Sequence, residues 1–285
     1  MKIAAVQWLM QPLTWAEFEK KYSQTIAFAA QSGARLVVFP EYVTGGLLAR
    51  HNLKQERDLP FHWAEYSQPF RQLVQTLAEA YQIAIISGSQ IERQGQVFYN
   101  VCHLAVPGKG LLTQAKLHLT PWEQEYWQLT AGEELVLASL PDATVGVMIC
   151  YDSEFPTVAA ALAEAGADLL CCPYCTEDEA GFWRVRYCLQ ARAVELQLGV
   201  VASPTIGFLP EVPGLEQHHG RAALLTPCDL GFPPRGIQAE GQPGLEQILI
   251  AELPLAQIRA SRQQGSVRPW DVRRQDLMQL PVRKL

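Results

Sequence analysis

Charge is scarce in this sequence, and basic runs are scarcer still. Only 18% of its 285 residues are charged, and the formal net charge is −6. A surface that tracks phosphates needs clustered lysine and arginine. The nearest approach is a scatter of arginines at the C-terminus, such as Arg273 and Arg274, so nucleic acid is not an expected partner. Nowhere do about 18 apolar residues run together, which argues against a membrane-spanning helix. The opening Met1-Lys2-Ile3-Ala4-Ala5-Val6 is too short and turns polar too soon to act as a signal peptide. The seven cysteines are odd in number and lack a framework spacing, the usage expected of reduced thiols in a cytoplasm. Cys172-Pro173-Tyr174-Cys175 has CxxC spacing, but no second pair or nearby histidine pair completes a zinc site. No G-x-S-x-G elbow, P-loop or Gly-rich dinucleotide fingerprint is present. No metal and no cofactor is therefore expected.

What is there is an ordinary globular composition, 48% hydrophobic, in a chain long enough to bury a core without staples. No Ser/Gly-rich linker interrupts it, so residues 1–285 are read as a single domain. Short apolar runs alternate with longer amphipathic ones, the pattern of layered α/β proteins. Strands are expected at 2–8, 35–39, 83–87, 97–105, 145–149, 169–172, 200–203 and 247–252. Helices are expected at 15–31, 69–81, 156–165 and 182–196. Gly108-Lys109-Gly110 reads as a hairpin turn. One internal echo stands out. Gly33-Ala34-Arg35-Leu36-Val37-Val38-Phe39-Pro40 parallels Gly166-Ala167-Asp168-Leu169-Leu170-Cys171-Cys172-Pro173. Each follows an Ala-rich helix, and each is an apolar strand stopped by proline, which cannot donate to a sheet ladder. Either any buried strand looks like this, or two similarly built halves face each other, sheet against sheet.

Three segments carry chemistry. Phe39-Pro40-Glu41-Tyr42 sets an acid just past a buried strand. Lys116-Leu117-His118-Leu119-Thr120-Pro121-Trp122-Glu123 sets a lysine at a strand end and an acid seven residues on. Gly146-Val147-Met148-Ile149-Cys150-Tyr151-Asp152 ends an apolar strand in a cysteine, ahead of a helix opened by Pro156. Side chains at strand ends in α/β sheets converge on the crevice outside the carboxyl edge. Helix amides and a nearby ammonium favour thiolate, and a nearby carboxylate can take the thiol proton.

These segments resemble the signature of the nitrilase, or carbon–nitrogen hydrolase, superfamily: a glutamate after a strand, a lysine, and a cysteine in a strand-to-helix elbow. The similarity extends to Ile3-Ala4-Ala5-Val6-Gln7 and to Ala191-Arg192-Ala193-Val194-Glu195. It implies a four-layer α-β-β-α sandwich, usually dimerised through its helices, with a tail at 262–285 (Trp270 and Leu277 included) at a subunit interface. It further implies an amidase-like hydrolase of a non-peptide C–N bond, working through a Cys thioester. Cys150 would be the nucleophile, Glu41 the general base and then acid, and Lys116 with the Tyr151 amide the oxyanion donors. Glu123 matches the second glutamate, and Glu125 competes with it.

The substrate stays open between a small amide and a nitrile, and the alternative of another class is a non-catalytic binding protein on the same fold, which the intact Cys150, Glu41 and Lys116 set disfavours. Tyr151, Glu154, Tyr174 and Trp122 are the candidate substrate contacts. Glu154 stands where many amidase-like members carry arginine, and Glu195-Leu196-Gln197 lacks an asparagine common after that glutamate. Trp122 and Trp127 resemble true nitrilases; Cys150-Tyr151-Asp152 resembles amidases. The pairing is similar to a poorly assigned branch with some acetyltransferase-fused members. Glu177-Asp178-Glu179 would favour an amine-bearing substrate if it overhangs the site, whereas Arg184 and Arg186 suit a carboxylate. His118 reads as a packing residue, and His218-His219 as a surface turn or a pocket border.

Overall fold

The computed structural model describes every residue except 52, 54, 275, 277–280, 282, 284 and 285. Its central strands are apolar on both faces, and the two-residue period of the strand sorts those faces between two cores. Ile3, Ala5, Leu36, Val38, Ala84 and Ile86 belong to one core, while Ala4, Val6, Val37, Ile83 and Ile85 belong to the other.

The strands run in the order Gly110–Ala115, Val97–Val106, Ala84–Gln94, Leu36–Val38, Lys2–Met10, Gly199–Phe208, Leu169–Tyr174, Thr144–Val147, Leu137–Ser139. The first strand joins two halves. Its residues Ile3 to Ala5 pair in parallel with Leu36 to Val38, and its residues Trp8 to Met10 pair in parallel with Thr205 to Gly207. The Ser203 hydroxyl donates to the carbonyls of both Val6 and Val38 at this junction. Helices Trp15–Gln31 and Ser67–Tyr81 cover the first half with Phe18, Tyr22, Ile26, Phe70 and Val74. Helices Pro156–Glu164 and Glu179–Leu196 cover the second with Val158, Leu162, Phe182 and Leu189. The result is an α-β-β-α sandwich, the two echo segments occupying corresponding places in its halves.

Several elements differ from the sequence reading. The strand Leu169–Tyr174 continues through Pro173, which pairs with Ser203. Its other neighbour, Thr144–Val147, ends opposite Cys171, so the missing proline N–H faces no ladder there. Cys150 does not lead straight into a helix: a 3-10 turn, Cys150–Glu154, comes first. Glu177-Asp178-Glu179 is only partly loop, because Asp178 caps the Glu179–Leu196 helix and accepts from the Gly181 amide. A short C-terminal helix, Leu255–Gln264, was not expected. Beyond it Trp270 packs on its own chain's core between the guanidiniums of Arg262 and Arg273; Leu277 lies outside the described residues.

One irregularity positions the chemistry. The ladder between Ala84–Gln94 and Val97–Val106 slips between Ile86 and Ser89, where Gly88 has φ +77°. The Ser89 amide donates to Pro40 O at 3.1 Å, Val43 donates to Ser89 O at 3.1 Å, and Tyr42 donates to Ser89 Oγ at 3.2 Å. This bulge therefore clamps both sides of Glu41. A Cβ on Gly88 would stand 2.3 Å from Pro40 O. Gly88→Ala is expected to destabilise the fold by about 2–5 kcal/mol, from left-handed strain plus overpacking, read as a lowered denaturant midpoint.

Candidate active site

The turn clamped by Gly88 and Ser89 buries Glu41 to 1% exposure. Its Oε1 accepts from Lys116 Nζ at 2.8 Å and Asn100 Nδ2 at 2.9 Å, and its Oε2 accepts from the Cys175 amide at 3.0 Å. Lys116 leaves the Gly110–Ala115 strand anchored by backbone bonds to Asn100 and Gly132. Its ammonium lies 2.9 and 2.8 Å from the two oxygens of Glu123. Glu123 sits in the first turn of the Pro121–Glu125 helix and closes a capping box with Thr120, so one carboxylate serves local structure and Lys116 together. Tyr42 OH donates to the same carboxylate, and Asn100 Nδ2 lies 3.1 Å from it. Glu125 is exposed and does not line the cavity.

Cys150 opens its 3-10 turn at φ +46°, a region that costs a non-glycine residue about 1–3 kcal/mol and persists only where its surroundings enforce it. Enforcement comes from Ser153 Oγ, which donates to Cys150 O at 2.7 Å, and from Asp152. The Asp152 carboxylate accepts from the Ile149 amide at 3.2 Å and the His118 amide at 2.8 Å, tying the cysteine turn to the segment that follows Lys116. The Cys150 thiol donates to Cys175 O at 3.4 Å. The Cys175 backbone thus touches both Cys150 and Glu41.

Burial pushes the Cys150 thiol well up, with the Glu41 charge adding to it and Lys116 opposing. The resting group is a neutral thiol, not the thiolate that helix amides and an ammonium would favour. A five-residue 3-10 turn offers little dipole, and desolvation wins. Burial also raises Glu41; Lys116 pulls it down, and the nearby Glu123 charge pushes it up. Burial works to raise Glu123 too, but Lys116 and the hydrogen bonds from Lys116, Tyr42 and Thr120 outweigh it, and its carboxyl is lowered. Desolvation alone would neutralise Lys116; the two carboxylates reverse this and hold it protonated.

All four groups line one cavity of about 330 Å³, the size of a small-molecule site. Trp122, Tyr151 and Glu154 line it as well. Tyr174 does not: it is buried in its strand, and its hydroxyl exchanges hydrogen bonds with the Arg221 backbone on the far side. Side chains alternate across a strand, so the residue beside Cys175 points away. His118 stacks on Phe155 with ring centroids 3.6 Å apart. His218 is buried rather than in a surface turn. Its Nε2 donates to Leu215 O at 2.7 Å, which leaves Nδ1 to accept from Thr205 and from the Cys175 thiol at 3.3 Å; burial lowers its pKa to about 4.

Sequence reasoning missed Asn100, Tyr42, Asp152 and the Cys175 backbone. Asn100 left a signal, an amide inside the apolar run 97–106. The others left none, because their contacts are made with segments remote in the chain. Among the described residues no group of three or more His, Cys, Asp or Glu is arranged to hold a metal ion, and no helix is long and apolar enough to cross a membrane.

Comparison with known proteins matches residues 2–263 to the family model described as carbon-nitrogen hydrolase. A probable hydrolase of Bacillus subtilis, YhcX, is 32% identical over all of this chain, which spans 56% of that relative's length. Deaminated glutathione amidase of Synechocystis is 28% identical, covering 92% of this chain and 94% of the relative. The crystal structure of an amidase from Nesterenkonia superimposes with a TM-score of 0.78 at 21% identity, covering 98% of this chain and 95% of that one. The chain belongs to the carbon-nitrogen hydrolase family.

Proposed function

We propose that this chain hydrolyses a small linear amide through a thioester on Cys150, releasing ammonia or an amine. The observation that carries the reading is the meeting of Cys150, Glu41 and Lys116 from three remote segments at one cavity. The thiol is neutral at rest, so its proton must leave as the sulfur attacks the carbonyl carbon. Glu41 in its unprotonated form, its Oε1 against Lys116 and its Oε2 on the Cys175 amide beside the sulfur, receives that proton. Lys116 and the Tyr151 amide stabilise the developing oxyanion. Collapse breaks the carbon–nitrogen bond, and Glu41 returns the proton to the departing nitrogen. Water then adds to the thioester with Glu41 again as base, giving the carboxylic acid and the free thiol. Glu123 serves as the fixed counter-charge that keeps Lys116 an ammonium and in place.

Cys150→Ala is expected to abolish turnover with the unfolding transition intact, and Glu41→Gln to fall nearly as far. An ammonia-release screen with intact-mass detection of an acyl adduct checks both; near-normal turnover by Cys150→Ala would sink the mechanism. If nitriles are hydrolysed while amides are not, the amide reading gives way to a nitrilase using the same groups.

Lys116→Ala is expected to lower kcat by about 10²–10³-fold, the cost of one oxyanion donor, with a smaller change in KM. It also leaves two buried carboxylates uncompensated, a loss of about 3–5 kcal/mol of stability at neutral pH.

Glu41 must be unprotonated to act as base, and its carboxyl is raised above 4.5. Activity is therefore lost as pH falls through that raised value, placing the acid limb of kcat/KM above the ordinary carboxylate range. Glu123→Gln removes a like charge that raises Glu41, so in residually active protein the limb should move to lower pH. A limb that stays put or moves up contradicts Glu41 as the titrating base.

A further inference from the structure

The charges around this cavity are sharply unequal once their pairing is considered. Six carboxylates and two cations line it. Both cations already have a carboxylate partner, Lys116 in full burial and Arg184 at a 60% exposed side chain. Lys116 is bound on two sides by Glu41 and Glu123, and Arg184 Nε donates to Glu154 at 3.0 Å. Arg186, which in the sequence stood beside Arg184 as a second candidate carboxylate ligand, is buried against Glu240 and the Arg221 carbonyl, outside the cavity. On the outer wall, Glu177, Asp178 and Glu216 are solvent-exposed acids. Among the described residues no lysine or arginine lies within ion-pair distance of any of the three. Asp178 and Glu216 each accept one backbone amide, from Gly181 at 2.6 Å and Gly214 at 2.9 Å, which fixes their place without neutralising them.

The aromatic lining points the same way by separate physics. Tyr42, Trp122 and Trp127 border the same space, and indole faces attract cations through their quadrupole. A ligand carboxylate entering here would meet six acids and aromatic faces against a single exposed cation, Arg184, which already shares its charge with Glu154.

We infer that the cavity selects an amide whose non-reacting end is a cation, an ammonium or guanidinium, seated between the Trp122 side and the outer acids. This rests on the hydrolase reading above and adds the charge of its substrate. Glu177 and Glu216 are specificity-determining residues in this scheme, and Glu154 contributes by neutralising Arg184. The field of converging acids in a partly enclosed cleft concentrates cations and repels anions.

The test uses three amides of similar length with the intact chain: 5-aminopentanamide, hexanamide and 4-carbamoylbutanoate. Ammonia release should rank cation first, neutral second, anion last, with kcat/KM separated by roughly tenfold between the first two, as three partly exposed acids would give. The ratio should shrink as salt is raised, and shrink again in Glu177→Gln/Glu216→Gln. Hexanamide or the carboxylate cleaved as well as the amine, or a preference indifferent to salt and to the double substitution, overturns the charge assignment while the hydrolase reading stands. Should none of the three release ammonia or leave an acyl mass on Cys150, the small linear amide reading fails, and the charge assignment with it.

Discussion

A buried ammonium pressed between two buried carboxylates governs this molecule. Lys116 is 2% exposed, and its partners Glu41 and Glu123 are 1% and 2% exposed. Each ion, taken alone, would lose several kcal/mol on leaving water, so none of the three is tolerable without the others. Satisfying Lys116 therefore obliges the turn after Leu36–Val38, the end of Gly110–Ala115 and the Pro121–Glu125 helix to assemble at one point. The same cation also makes two chemically identical acids different. Glu123 collects donors from Lys116, Tyr42 and Thr120 and is lowered; Glu41 collects fewer and stays raised by burial. In the proposed mechanism Glu123 is then the fixed anion and Glu41 the proton acceptor, both set by one ion triad.

Around that triad the backbone is held where it would not rest by itself. Tyr42, next to Glu41, has φ +55° and Cys150 itself has φ +46°, and both conformations are enforced by neighbours: the Gly88–Ser89 bulge for one, Asp152 and Ser153 for the other. Left-handed residues store strain that the rest of the fold must offset. The benefit is placement. The sulfur, the carboxylate and the ammonium sit on segments stiffened by sheet ladders, and the Cys175 backbone spans between the first two.

The charge selectivity inferred for the cavity rests on pairing rather than on composition. Arg184 and Arg186 are two residues apart on one helix, yet one lines the cavity neutralised by Glu154 and the other lies buried against Glu240. Residues two apart on a helix do not share a face. Counting charges along the chain gives a contradiction between an acidic loop and an arginine pair. Placing them in space removes it.

Much of this was legible in the residues in order. Apolar runs of strand length, the longer amphipathic runs such as 15–31, and the glycine–proline punctuation determined most elements. The positions of Glu41, Lys116 and Cys150 after those runs pointed to a shared crevice, because strand ends converge by the geometry of the sheet. The choice between Glu123 and Glu125 needed the helix turn that swings one acid inward and leaves the other exposed. The pairing of Arg184, the outward turn of Tyr174, the burial of His218 and the bridging amide of Asn100 needed the tertiary structure too. Local pattern records which faces are apolar, but hydrogen-bond partners and desolvation depend on what arrives from elsewhere in the chain. The sequence determined where the reactive groups stand along the backbone; only their packing together decided which are charged, which are neutral and which meet.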